Sequence, residues 1–262
     1  MPQTFDERLV IDKAKQGSII YNEHLIRYQF ASQLVQGKTV LDIACGSGYG
    51  SKLLAQAGAA KVIALDASQS VINEAQKNFF HDKIEFRVGE AEKIALEENT
   101  IDLAVSLETI EHLPEEEVFL RELARVVKPD GLVVISTPNK KISQEKNPYH
   151  FKEFTRQEFE RSLKRYFPFC LMINQSNALA SYLKISAKQQ GNIIMTSQAE
   201  PIYFLAVCSK KELPYLSDYN LVSLNPSALN NLYNNPGFKM VNQIYSLIVK
   251  IPGLKKFLNL LK

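Results

Sequence analysis

Residues 39–50 read TVLDIACGSGYG, and this stretch decides the fold of the chain. Residues 40–43 are mostly apolar and predict a short strand that is buried on both faces. Gly46 and Gly48 tolerate positive φ angles and leave no Cβ between the backbone and a ligand. The pattern becomes helical from Tyr49. A strand, a glycine turn and a helix N-terminus in this order form the ligand-binding corner of an open α/β sheet.

The spacing of the glycines indicates which ligand the turn holds. Glycines at 46, 48 and 50 do not fit the G-x-G-x-x-G fingerprint of dinucleotide-binding turns, because the third comes one residue early. Asp42 precedes the turn, and Asp66 ends the next apolar run, where a carboxylate can accept both hydroxyls of a ribose. This combination resembles the first motif of the class I S-adenosylmethionine-dependent methyltransferases, with Ala44 in place of the family's first glycine. The alternatives are a turn without a ligand and a turn that binds a nicotinamide cofactor.

Length and composition limit the class of protein. A chain of 262 residues with 45% hydrophobic and 23% charged residues fits one α/β domain with additions. No run of about 20 apolar residues is present, and residues 1–10 lack the apolar core of a secretory signal, so we expect a cytoplasmic protein. The three cysteines are far apart in apolar surroundings, which predicts buried reduced thiols and offers no metal-binding spacing.

The resemblance implies an α/β fold with a Rossmann-like, seven-stranded, mostly parallel sheet, helices on both faces and an antiparallel last strand. Apolar runs predict the strands at residues 40–43, 62–65, 84–88, 101–107, 132–136, 169–174 and 202–209. Residues 1–38 are expected to form an N-terminal helical lid and residues 39–210 the methyltransferase domain. Residues 211–262 are expected to form a basic, amphipathic, helical C-terminal extension.

The same resemblance implies that S-adenosyl-L-methionine is the cofactor. On the lid helix, Tyr21 is expected to lie against the cofactor and Arg27 to meet its carboxylate; the alternatives are a packing residue and a surface charge. Glu90, in place of the family's aspartate, is expected to accept a hydrogen bond from the adenine amino group, unless it is only a turn acid. The complete predicted set is Tyr21, Arg27, Asp42, Ala44, Gly46, Gly48, Asp66, Ala67, Glu90, Ala91 and Leu107.

Residues 108–112, ETIEH, follow the fourth predicted strand and resemble the fourth motif of small-molecule O-methyltransferases, including the quinone-biosynthesis group. Glu108 and His112 are four residues apart and are expected to share one helical face, where the imidazole can accept a substrate proton. The alternative for His112 is a buried, hydrogen-bonded histidine, and Glu111 is expected to make a structural hydrogen bond. No metal is predicted, although these three residues could recruit a divalent ion for a diol acceptor.

A second candidate base, His150, lies in the loop at residues 139–154, which can serve as a substrate lid. The string NPYH at residues 147–150, followed by a capped helix, resembles methyltransferases that act on sugars and other hydroxylated small molecules. The alternative for His150 is a histidine that ties the loop to a backbone carbonyl.

The last acid is Asp218, and five lysines follow it. This extension is expected to dock on the body of the protein or on a second copy in a homodimer, with peripheral membrane contact as the alternative. Nucleic-acid binding is not expected, because no basic-aromatic stripe accompanies the charge.

The predicted function is methyl transfer from S-adenosylmethionine to a hydroxyl of a small molecule or glycan, with a histidine as general base. The alternatives are a non-catalytic adenosyl-binding scaffold that recruits partners through its basic tail, and an NAD-dependent oxidoreductase.

Overall fold

The computed structural model describes residues 19–142, 147–177, 181–185, 200–214 and 222–223. Most of the predicted C-terminal extension and the first half of the predicted lid therefore lie outside the described residues. The described part of the chain contains no helix that is both long and apolar enough to cross a bilayer.

One mixed sheet organises the described residues. Its strands are β1 (Thr39–Ile43), β2 (Lys61–Asp66), β3 (Ile84–Val88), β4 (Ile101–Leu107), β5 (Val127–Pro138), β6 (Phe169–Asn177), β7 (Ser181–Ile185), β8 (Tyr203–Ser209) and β9 (Val222–Ser223). The helices are α1 (Ile19–Ser32), α2 (Tyr49–Gln56), α3 (Gln69–Asn78), α4 (Glu116–Val126) and α5 (Arg156–Lys164), with a short 3₁₀ helix at Ile110–His112.

The strand order is β3-β2-β1-β4-β5-β8-β6-β7-β9. Strands β1 to β5 pair in parallel, whereas β8 enters antiparallel between β5 and β6. All seven predicted strands form, and the predicted α/β sheet with parallel early strands and an antiparallel late strand is confirmed. Two short strands extend the sheet: β7 pairs with β6, and β9 pairs with β7.

The order in which successive strands are added to the sheet reverses at β1. It passes from β1 to β2 and β3 on one side and then crosses to β4 on the other side of β1. The connections that leave β1 and β4 therefore diverge, and a crevice opens beyond the carboxyl ends of these two strands. Residues 44–48 and 108–112 lie at this switch point.

Apolar side chains on both faces of the sheet hold the helices in place. In β1, Leu41 packs into the core below α4 and α5, whereas Val40 packs into the core below α1 and α2. The first core contains Phe119 and Phe159, and the second contains Ile26. The continuous apolar runs of the central strands follow from this burial on two sides.

The predicted capping box starts α5. Thr155 Oγ1 accepts from the Glu158 amide at 3.3 Å, and Glu158 Oε2 accepts from the Thr155 amide at 2.8 Å. This cap fixes the end of the loop that carries His150.

Candidate functional site

A cavity of about 930 Å³ opens at the switch point, beyond the carboxyl ends of β1, β2 and β4. Its volume suits a small-molecule site. The predicted site residues that line it are Ala44, Gly46, Asp66, Ala67, Glu90, Ala91, Leu107, Glu108, His112 and His150. The structure therefore brings the predicted turn and the predicted catalytic residues to one cavity.

The turn between β1 and α2 uses left-handed backbone. The φ angles are 55° at Ala44, 54° at Gly46 and 86° at Gly48. A Cβ on Gly46 would meet nothing within 4 Å, so this glycine keeps the cavity wall bare. A Cβ on Gly48 would lie 2.9 Å from the Cβ of Ala75 and from the ring of Phe86. Gly48 is therefore required for packing and is not among the residues that line the cavity, and its contact with the cofactor stays a prediction.

Asp66 is held rigidly at the end of β2. Its Oδ2 accepts from the Gly46 amide at 3.1 Å and its Oδ1 accepts from the Ser68 amide at 2.9 Å. Each carboxylate oxygen can accept a further hydrogen bond, so Asp66 remains able to receive hydroxyl groups from the cavity that it lines.

Asp42 has a different position from the predicted one. Its side chain is fully buried beneath the turn, where it accepts from the Tyr28 hydroxyl at 3.1 Å and from Ser51 Oγ at 2.6 Å. Burial raises the pKa of this carboxyl to about 7. Among the described residues Asp42 is not part of the cavity wall, and it ties α1 and α2 to β1 instead.

Arg27 and Tyr21 are not among the described residues that line the cavity. Arg27 is completely buried; its Nη1 donates to Gln175 Oε1 at 2.8 Å, and its guanidinium stacks 4.3 Å from the centroid of Tyr203. Its Nη2 lies 4.0 Å from Glu108 Oε1. The ring of Tyr21 packs 6.1 Å from that of Tyr49. The alternative of a surface charge for Arg27 is wrong, because the side chain is completely buried. The cofactor contacts of Tyr21 and Arg27 stay predictions.

Glu108 does not belong to a helix, contrary to the prediction. Strand β4 ends at Leu107, and Glu108 takes a left-handed φ of 53° before the 3₁₀ helix begins at Ile110. Glu108 and His112 therefore do not share a helical face, although both line the cavity. Ser136 Oγ donates to Glu108 Oε1 at 2.6 Å. Burial raises the pKa of the Glu108 carboxyl, and the charge of Arg27 opposes the rise.

Glu111 makes the structural hydrogen bond that was expected. Its Oε2 accepts from Thr137 Oγ1 at 3.1 Å, and its backbone carbonyl accepts from the Phe151 amide at 2.8 Å. The side chain is fully buried, and Oε1 has no hydrogen-bond partner among the described residues. Burial, and secondly the charge of Glu108, raise the pKa of this carboxyl well above its usual range.

The two candidate bases meet, although 38 positions separate them in the chain. The rings of His112 and His150 stand edge to face with their centroids 4.7 Å apart. His112 Nδ1 lies 3.1 Å from the Tyr149 carbonyl oxygen. His150 Nδ1 lies 3.3 Å from Glu153 Oε1, and His150 Nε2 lies 3.1 Å from Asn147 Nδ2. Both histidines line the cavity, and the His150 ring contacts two side chains of its own loop rather than the backbone carbonyl that its alternative named.

The sequence reasoning missed the aromatic wall of the cavity. Tyr28, Tyr49 and Tyr203 line it, and Tyr28 meets Tyr49 in an edge contact at 5.4 Å. A Cβ on Gly50 would come within 2.0 Å of the Tyr28 ring, so the third glycine of the turn makes room for this tyrosine. Gly50 was the sequence feature that could have indicated a large side chain packed against the turn. Tyr203 lies on β8, and no local pattern in the sequence indicates that it reaches the cavity.

Comparisons with known proteins agree with this geometry. Residues 41–135 match the family model described as a methyltransferase domain. A Mycolicibacterium smegmatis protein named "Probable S-adenosylmethionine-dependent methyltransferase" is 29% identical over 149 residues, which cover 55% of this chain and 57% of that protein. The ubiquinone biosynthesis O-methyltransferase of Bordetella avium is 35% identical over 109 residues, which cover 40% of this chain and 45% of that protein. The chain thus spans about half the length of the curated relatives that it matches.

Solved structures share the fold at low sequence identity. An S-adenosylmethionine-dependent methyltransferase from Thermotoga maritima superposes with a TM-score of 0.57 at 18% identity, covering 73% of this chain and 90% of that one. The protein in complex with the Trm112 methyltransferase activator of Haloferax volcanii superposes with a TM-score of 0.56 at 16% identity, covering 77% of this chain and 95% of that one. Residues 41–135, which include the glycine turn and Asp66, are therefore similar to the methyltransferase domain that this family model describes, and the solved structures show the same fold.

Proposed function

We propose that this protein transfers a methyl group from S-adenosylmethionine to a hydroxyl oxygen of a small molecule or glycan. The observation that carries the proposal is the shared cavity, which joins the wall formed by Ala44, Gly46 and Asp66 to the histidine pair. One side of the cavity suits an adenosyl group, and the other suits an acceptor that must lose a proton.

The first side fits the methyl donor. Gly46 leaves an open surface, and the Asp66 carboxylate is oriented by two backbone amides to receive ribose hydroxyls. Glu90 and Ala91 line the same cavity and would meet the adenine ring. When bound, S-adenosylmethionine supplies a methyl group on a sulfonium centre, whose carbon–sulfur bond breaks with the electron pair left on sulfur. The chain has to align the acceptor oxygen about 3 Å from that methyl carbon and exclude water.

The second side fits an oxygen acceptor. A hydroxyl must release its proton as it is methylated, and the imidazoles of His112 and His150 and the carboxylate of Glu108 face the space where it would sit. Ile142 and Tyr149 add apolar surface at the same side of the cavity. The similarity to a ubiquinone biosynthesis O-methyltransferase supports oxygen as the methylated atom.

Ligand binding tests the donor half of the proposal. We expect S-adenosylhomocysteine to raise the melting temperature and NAD to leave it unchanged, since a ligand at 100 times its Kd adds about 2.7 kcal/mol of stability. Asp66→Ala should weaken this binding at least tenfold, whereas Asp82→Ala, a change at an exposed carboxylate, should not.

Product formation tests the acceptor half. Phenols, catechols and glycans should be screened for release of S-adenosylhomocysteine and for the methylated product. A protein that binds S-adenosylhomocysteine but methylates no acceptor would support the scaffold alternative instead. A protein that is stabilised by NAD alone would reject the proposal.

A further inference from the structure

Three potential metal ligands converge on one wall of the cavity. One ligand atom each from Glu111, His112 and His150 lies within 4.8 Å of the others. The three residues come from the 3₁₀ helix after β4 and from the loop before α5, so only the folded chain brings them together. All three line the cavity, which leaves room for further ligands from solvent or substrate.

Glu111 has an unsatisfied oxygen at this place. The side chain is 0% exposed, and only Oε2 has a hydrogen-bond partner among the described residues, the Thr137 hydroxyl. A buried carboxyl oxygen without a hydrogen-bond partner destabilises the fold. A bound cation would satisfy Oε1 and stabilise the ionised form of Glu111 in this buried position.

The two imidazoles are held in the way that metal-binding histidines usually are. The Tyr149 carbonyl oxygen lies 3.1 Å from His112 Nδ1, and Glu153 Oε1 lies 3.3 Å from His150 Nδ1. An acceptor beside Nδ1 fixes the proton on that nitrogen and places the lone pair on Nε2. His150 Nε2 now meets the Asn147 amide at 3.1 Å, and a coordinate bond would replace this contact.

The loop that supplies His150 is fastened to the residue that supplies the carboxylate. The Glu111 carbonyl oxygen accepts from the Phe151 amide at 2.8 Å and from the Lys152 amide at 3.3 Å. The capping box of α5 anchors the other end of the loop. These backbone contacts keep the three ligands near one another before any ion arrives, which lowers the cost of ordering them.

We infer that Glu111, His112 and His150 bind a divalent first-row transition-metal ion such as Zn²⁺, Fe²⁺ or Co²⁺. Two imidazoles and one carboxylate with open positions form a donor set that these ions prefer. Metal–ligand bonds of ~2.0–2.2 Å place ligands of one ion ~3–3.5 Å apart. Side-chain shifts of about 1 Å therefore convert the present 4.8 Å cluster into a coordination site.

The role of the ion rests on the proposed function. An acceptor hydroxyl that binds the ion would lose its proton to water more readily, because a metal lowers the pKa of a coordinated oxygen. Imidazoles whose lone pairs bind an ion cannot also take up that proton. The ion would therefore replace the histidine base, and the acceptor class would be oxygen ligands such as catechols and vicinal diols.

Cobalt titration tests the site itself. Full-length, untagged protein is treated with a chelator, dialysed and titrated with Co²⁺, whose visible absorption reports coordination. We expect one saturable equivalent, with binding weakened at least tenfold in His112→Ala, in His150→Ala and in Glu111→Gln. His81→Ala, which alters a half-buried histidine that pairs with Asp82 outside the cavity, is the matched control and should bind as the unchanged protein does.

Two outcomes overturn the inference: no stoichiometric Co²⁺ binding, or binding that the three ligand variants share equally with the control. Circular dichroism and S-adenosylhomocysteine binding confirm that each variant is folded. If Glu111→Gln fails to fold, Co²⁺ binding by His112→Ala and by His150→Ala decides the outcome. Protein that binds Co²⁺ but neither binds S-adenosylhomocysteine nor methylates an acceptor would reject the proposed function and leave the metal site standing.

Discussion

Ala44 carries backbone strain that a glycine would remove. Its φ of 55° lies in the left-handed region, which costs an L-residue about 1–2 kcal/mol. Ala44→Gly relieves this strain, while the greater freedom of glycine in the unfolded chain costs about 0.5–1 kcal/mol. We expect a net stabilisation of up to about 1 kcal/mol in chemical denaturation. Ala67→Gly, at a cavity-lining alanine without positive φ, should destabilise by about 0.5–1 kcal/mol, and equal effects of the two changes would contradict the argument.

Asp42 makes stability depend on pH in an unusual direction. Its folded-state pKa of about 7 exceeds the ordinary value of 3.8, so the unfolded chain loses this proton first as pH rises. The contribution of Asp42 is complete below pH 4 and is lost as pH rises towards about 7. The free energy of unfolding should therefore decline between pH 5 and 7 with a slope of up to about 1.4 kcal/mol per pH unit.

Asp42→Asn removes the titrating group and should flatten this decline, measured by urea denaturation at several pH values. The exposed change Asp130→Asn should leave the slope as it is in the unchanged protein. A slope that is the same in all three proteins would show that Asp42 does not titrate in this range.

At the scale of elements, α1 approaches α2 only because Gly50 lacks a side chain. Gly50→Ala would force its Cβ into the Tyr28 ring, which also holds Asp42. We expect a loss of about 1–3 kcal/mol of stability, as for other overpacked sites, and weaker S-adenosylhomocysteine binding. Tyr28→Leu in the same chain should recover part of the loss, so the two changes should be non-additive in a double-mutant cycle. Additive losses would mean that the ring is not the obstacle.

At the scale of the whole molecule, Arg27 joins α1 to the antiparallel half of the sheet. It donates to Gln175 of β6, stacks on Tyr203 of β8 and lies near Glu108 at the end of β4. Arg27→Ala leaves buried polar groups without their partner and should cost about 3–5 kcal/mol in chemical denaturation. Arg27→Lys should recover only part of this, because an ammonium cannot reproduce the planar stack. The exposed change Arg121→Ala should have little effect, and an equally mild Arg27→Ala would refute the bridging role.

The strands and the glycine turn were predictable because their signals are local. Continuous apolar runs mark β1, β2, β4 and β5, since these strands are covered on both faces. Strands β7 and β9 have no such run and were missed. Their existence depends on pairing with neighbours, which single-sequence periodicity does not report.

The residue types of the candidate site could be predicted from the sequence, but the orientations of their side chains were harder to predict. His112 and His150 were identified separately, but only the fold shows that their rings touch. Asp42 and Arg27 face inward because their partners, Ser51 and Gln175, lie on other elements. A sequence pattern indicates that an acid or a base is present near a turn, and tertiary contacts decide which side of the backbone it faces.

The cavity joins residues from inside and from outside the span that matches the family model. Ala44, Gly46, Asp66 and Glu90 fall inside the span that the family model recognises, whereas Tyr149, His150 and Tyr203 come after it. The donor side of the cavity thus lies within the matched span, whereas the acceptor side combines Glu108 and His112 from that span with residues that follow it. A match to this family model therefore concerns mainly the residues expected to bind the methyl donor. We expect the choice of acceptor to depend also on Tyr149, His150 and Tyr203, which the match does not include.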